Sequence, residues 1–114
     1  MTESKPVVRL FFAKIKKEFI DLSEEQKMAF MSKDRKNLDE LGMTAVSMID
    51  CSWSTDEWDY IGVEQWPSDE AIKKREIFEN EELEISKYVV SKTYLGTPES
   101  FAEYGQETQE LENA

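Results

Sequence analysis

Between Trp58 and Trp66 the chain alternates in a way that can do chemistry. If this stretch is extended, Trp58, Tyr60, Glu64 and Trp66 share one face. A carboxylate set among aromatic rings is desolvated, which favours its neutral form and tunes it as a general base. Tyr60, or Tyr94 on a later strand, would hydrogen-bond a carbonyl or phenol. The structural alternative is that Trp66 and Tyr60 are core, while Glu64 pairs with Arg9 or Lys92 or reaches solvent. Arg75 would bind an anionic ligand or pair with one of the many acids. Cys51 reads as a small buried hydrophobe, since no histidine is present to form its thiolate. Asp56, Glu57 and Asp59 fit no defined calcium loop and read as a solvated turn.

The inventory excludes more than it proposes. The 114 residues contain no His, one Cys and four Gly. A Ser-His-Asp triad, a Cys-His pair and His-ligated zinc, copper, iron or haem are therefore ruled out. One cysteine makes no internal disulfide, so a reducing cytoplasm is the expected compartment. Residues 1–6 lack the apolar stretch of a signal peptide. The glycines fit neither the Walker loop nor the dinucleotide fingerprint, so neither a metal nor a nucleotide cofactor is expected. Net charge is −11: residues 1–40 hold nine bases and eight acids, and residues 41–114 hold five bases and seventeen acids. Such an acidic half repels phosphate backbones and anionic membranes, and it serves solubility. Nucleic acid and membrane are accordingly not expected partners.

Elements must hold these residues in place. Val7 to Ile15 is β-branched and aromatic with apolar residues on both faces, which predicts a strand ended by Lys16 and Lys17. Ser23-Glu24-Glu25-Gln26 is a capping box, and Leu41-Gly42 is a stop, giving a helix over 23–41. Residues 43–53 and 58–66 predict an antiparallel hairpin. Ala45, Ser47, Ile49, Cys51 and Trp53 fall on one face of its first strand. Pro67-Ser68-Asp69-Glu70 opens a second helix with Ala71, Ile72, Arg75 and Phe78 on one side, bent or broken at 79–82. A fourth strand covers 89–95. The order β-α-β-β-α-β is that of a ferredoxin-like α+β fold: a four-stranded antiparallel sheet with two helices on one face. Residues 1–96 form the single domain, and 97–114 an acidic tail. The sheet face without helices would carry Ile61 and Val63, and a bare apolar face predicts a homodimer packed sheet to sheet.

The stretch Tyr60-Ile61-Gly62-Val63-Glu64-Gln65-Trp66-Pro67-Ser68-Asp69-Glu70-Ala71 resembles the strand-to-helix junction of the dimeric α+β barrel superfamily, in its antibiotic-biosynthesis-monooxygenase branch. There an apolar strand runs into Glu-x-Trp, a polar helix cap and Ala. The resemblance implies a small pocket between sheet and helices. It implies a cofactor-free monooxygenase, an isomerase or cyclase, or a non-catalytic binding or interaction module. Glu64 and Tyr60 would then be catalytic, and Trp66, Trp58, Tyr94, Phe78 and Arg75 would bind a hydrophobic or aromatic small molecule. The chain departs from haem-degrading members, which rely on a histidine; its second helix offers Lys73, Lys74, Arg75 and Glu76 instead.

Overall fold

A computed structural model describes residues 6–99. The acidic stretch with Phe101, Tyr104 and Leu111 lies outside the described residues. Eight elements follow in order: β1 (Val7–Ile15), α1 (Lys17–Ile20), α2 (Glu24–Glu40), β2 (Thr44–Asp50), β3 (Tyr60–Trp66), α3 (Asp69–Glu81), α4 (Ile85–Tyr88) and β4 (Val89–Gly96).

Local chemistry sets most of the boundaries. Ser23 Oγ accepts the Gln26 N–H at 3.1 Å, and Gln26 Oε1 accepts the Ser23 N–H at 3.0 Å, so α2 begins on the expected capping box. It ends where Gly42 takes the left-handed conformation (φ 80°), which costs a glycine little. Ser68 Oγ accepts the Ala71 N–H at 3.2 Å and starts α3. The break expected within 79–82 falls at its end: α3 runs to Glu81 with Glu82 as its C-cap, the chain turns at Glu84, in the left-handed region at φ 49°, and α4 follows. The short helix α1, where the sequence predicted only the end of a strand, is held through Phe19, whose ring lies 5.4 Å from Phe30 and 6.3 Å from Tyr88.

The sheet order is β2-β3-β1-β4 with every neighbouring pair antiparallel, consistent with a ferredoxin-like fold. Arg9 stands opposite Glu64, Phe11 opposite Gly62, and Leu10 opposite Val63. One face thus carries Arg9, Phe11, Gly62, Glu64 and Trp66, and α2 and α3 pack on it. Leu38 of α2 and Ala71 and Ile72 of α3 bury against Trp66, with Val7, Leu41 and Met43 around them. The opposite face carries Val8, Leu10, Phe12, Ile61 and Val63, as the alternation required.

Two expectations about the hairpin need correction. β2 stops at Asp50 rather than 53, because Ser54 and Thr55 donate their N–H groups to the Cys51 carbonyl and fold the chain into turns. Trp53 therefore stands in a turn, 84 % exposed. The register also slips between Ala45 and Ser47. A bulge adds one residue and moves everything beyond it to the other face. Ala45, opposite Glu64, and Met48, opposite Gly62, lie on the helix side, while Ser47 and Ile49 lie on the bare side.

Candidate functional site

The helix side of the sheet is organised by a charge in an apolar strand. Arg9 is 1 % exposed. Its Nε donates to Glu64 Oε1 at 2.6 Å, and its Nη1 and Nη2 donate to the two oxygens of Glu79 at 3.2 Å each. Its guanidinium carbon lies 5.1 Å from the ring centres of both Phe11 and Trp66. Burial works against the Arg9 charge, but Glu79 and Glu64 outweigh it and raise its pKa further. Glu79 also accepts from Arg75 Nε at 3.1 Å, and Arg75 donates to Asn37 Oδ1 at 3.0 Å and to Asp34. The chain of pairs ties β1 and β3 to α3, and α3 to α2. Removing charges from water is repaid only when the partners are this complete.

Glu64 stands at one end of this network and Asp34 at the other. The Glu64 Oε1 accepts both Arg9 Nε and Trp66 Nε1, the latter at 3.2 Å. Among the described residues no donor reaches Oε2, yet no buried side-chain oxygen is left without a partner. Oε2 therefore keeps contact with water, and the side chain retains 11 % exposure. One pleat toward the sheet end, Gly62 offers no side chain. A Cβ there would stand 3.6 Å from Met48 Cε and 3.9 Å from Phe11 Cβ, in ordinary contact. One pleat further, Tyr60 is 41 % exposed. Tyr60, Gly62 and Glu64 thus form a row with a reachable phenol at one end, a flat floor in the middle and an acceptor oxygen at the other. Gly62 is buried under Met48, so an aromatic ring reaches it only where that side chain moves aside, and Oε2 is then the acceptor it would meet. Among the described residues no group of three or more His, Cys, Asp or Glu is arranged to hold a metal ion.

The structure separates the expected ligand set. Glu64, Trp66 and Tyr60 share the helix side. Trp66 is fully buried and serves as core as well as a donor to Glu64. Trp58 does not join them. Asp59 leaves the strand path, its N–H going to the Ala13 carbonyl and its Oδ2 accepting the Ile15 N–H, so Trp58 packs instead on Phe12 at 5.5 Å. Tyr94 likewise sits on the bare face, 5.9 Å from Phe12. Arg75 is engaged by three side chains and lies 5.7 Å from the half-buried Phe78 ring. Glu64 takes Arg9, not Lys92, as its partner. Cys51 is buried, with its Sγ 3.4 Å from the Trp58 carbonyl.

Sequence reasoning missed Glu79, Asp34, Asn37, Met48 and the floor at Gly62. A usable signal existed for the first: a lone Arg inside an apolar strand calls for a buried carboxylate, and Glu79 lies one helical turn after Arg75.

No family model and no curated protein matches the sequence. Solved structures do match in fold. A protein of unknown function from Rhodopseudomonas palustris superposes with a TM-score of 0.58 at 16 % identity, over 85 % of each chain. SnoaB, a cofactor-independent oxygenase from Streptomyces nogalater, superposes with a TM-score of 0.51 at 10 % identity, over 85 % of this chain and 96 % of that one. These likenesses are likenesses of fold: a small α+β protein with a four-stranded antiparallel sheet and helices. No helix among the described residues is long and apolar enough to cross a membrane.

Proposed function

We propose that this chain is a homodimeric α+β barrel protein of the cytoplasm that acts on a hydrophobic or aromatic small molecule without a metal or nucleotide cofactor. The reaction is monooxygenase-like, or an isomerisation or cyclisation. Glu64 Oε2 takes the proton, and Tyr60 binds a carbonyl or phenol oxygen. The observation that carries this reading is the unequal use of the two Glu64 oxygens: Oε1 is fixed by Arg9 and Trp66, while Oε2 has no donor and keeps contact with water. A base must be held still and yet reach its substrate. The fold likeness to a cofactor-independent oxygenase supports the same class of chemistry.

Dimerisation rests on the bare face. In a chain with 25 acids, the strand positions on that face include no Asp or Glu; the two acids within strands, Asp50 and Glu64, both lie on the helix side. An acid-free surface on a strongly acidic protein, apolar at its centre with Lys14, Lys92 and Gln65 around it, favours a second copy.

A non-catalytic binding module is the second reading, favoured by the completeness of the Arg9–Glu64–Glu79–Arg75 pairing, which alone accounts for a buried Glu64. The test begins with native mass spectrometry of protein purified from its source, to find the dimer and any bound molecule. Oxygen uptake or product formation from that molecule is then compared between the wild type and Glu64→Gln. Turnover lost with binding kept is the expected result. Binding without wild-type turnover establishes the binder, and turnover unchanged in the variant removes Glu64 as the base.

A further inference from the structure

The bulge in β2 does more than shift a register. It turns Met48 from the bare face to the helix side and sets it opposite Gly62. The Met48 Cε and Sδ stand 3.6 Å and 3.9 Å from where a Gly62 Cβ would be, so the thioether covers the empty floor. The same residue is 69 % exposed. A side chain with three rotatable bonds can swing off the floor to admit a ring and close over it through sulfur–aromatic contact. With so much of the side chain in water, a dissolved oxidant can approach it.

We propose that Met48 is an oxidation-sensitive cover of the Tyr60–Gly62–Glu64 row, an inference that rests on the reading of that row as a ligand site. The reagent is a peroxide. The thioether lone pair attacks one peroxide oxygen and the O–O bond breaks. The sulfur gains that oxygen as a sulfoxide, and the other leaves as water (or the corresponding alcohol) after taking up a proton. Sulfur is oxidised by two electrons and the peroxide is reduced by two. The product is polar and accepts hydrogen bonds but cannot donate them. It stands one pleat from Glu64, itself an acceptor, over a floor that suits an apolar ring. Placing an unpartnered dipole there lowers affinity for an aromatic ligand by about tenfold or more. A methionine sulfoxide reductase with a thiol reverses the change.

Met28 and Met31 on α2 are also exposed and supply an internal comparison. The experiment titrates Nile red, a neutral aromatic dye, onto the wild type, Gly62→Leu and Met48→Leu, before and after limited hydrogen peroxide. Peptide mass spectrometry reads oxidation at each methionine. The expected result is that Gly62→Leu weakens dye binding and that oxidation weakens it in the wild type by about tenfold, with reversal by the reductase. Met48→Leu starts from its own affinity and loses none of it to peroxide, even when Met28 and Met31 are oxidised. Two results overturn the cover while keeping the site: Met48 sulfoxide with undiminished binding, or an equal loss in oxidised Met48→Leu. Binding unaffected by Gly62→Leu overturns the site reading and the cover with it.

Discussion

Arg9 and Glu79, seventy residues apart, meet fork to fork: Nη1 to Oε1 and Nη2 to Oε2, each at 3.2 Å. The remaining Arg9 donor, Nε, goes to Glu64. One guanidinium therefore joins helix α3 to strand β3 through strand β1. Bidentate geometry fixes direction as well as distance. The inner face of α3 is consequently held at a set angle over the row that ends in Glu64.

Breaking that fork is expected to be costly. Glu79→Leu leaves Arg9 with one carboxylate and Arg75 with fewer acceptors, both in a buried setting. A half-removed buried pair destabilises by about 3 kcal/mol or more. Replacing both partners, Arg9→Met with Glu79→Leu, recovers part of the loss because no lone charge remains. Urea unfolding midpoints of the two variants test this, and a single variant within about 1 kcal/mol of the wild type would falsify the account.

Arg9 and Asp50, two of the shifted groups, respond differently to pH. The Arg9 pKa is raised, so its contribution is complete below the ordinary arginine value and is lost only as pH rises through a still higher one. The Arg9 charge therefore adds no pH dependence between about pH 6 and about pH 10. Asp50 is lowered, first by the Ser52 hydroxyl and then by the Ser52 N–H. Its contribution to the turn is present above the ordinary carboxylate range and is lost as pH falls through the depressed value. Ser52→Ala should move the Asp50 midpoint upward in a carboxyl NMR titration. An unmoved midpoint would show that the backbone N–H alone holds the carboxylate.

What could be read from the sequence was local. The Ser23–Gln26 capping box and the Leu41–Gly42 stop depend on neighbours in the chain, and both stand as expected. The two faces of β3 followed from alternation. The bulge at Ala45–Ser47 left no mark, because the apolar alternation of 43–53 runs straight through it. Trp58 kept the period of β3 in sequence, but Asp59 ends the ladder by capping Ile15 from across the sheet. Glu79 belonged to a polar run that reads as a helix breaker. Only the distant Arg9 makes it a buried residue.

Gly62 separates ligand binding from stability. Its backbone is not in the left-handed region, and a methyl there meets Met48 and Phe11 at ordinary contact distance. Gly62→Ala should leave the fold as stable as the wild type, or more stable by about 0.4–1 kcal/mol through the unfolded chain. The methyl raises the floor of the row, so affinity for an aromatic ligand should fall. Paired thermal melts and binding titrations check both directions, and a variant that binds as well as the wild type would place the ligand elsewhere.

Val63 tests the bare face. It pairs with Leu10 in β1 and Ser47 in β2, away from both long helices. In a sheet-to-sheet dimer Val63→Lys buries an unpaired ammonium at the centre of the interface, a cost no surface lysine bears. Sedimentation velocity should then find monomers with an unchanged far-ultraviolet spectrum. Thr93→Lys is the matched control, since Thr93 stands opposite Phe11 on the helix side and is already exposed. It adds the same charge to the same acidic chain and should leave the dimer intact. Dissociation of both variants would mean that charge, not the apolar face, governs association. A dimer surviving Val63→Lys would move the interface off the face without helices.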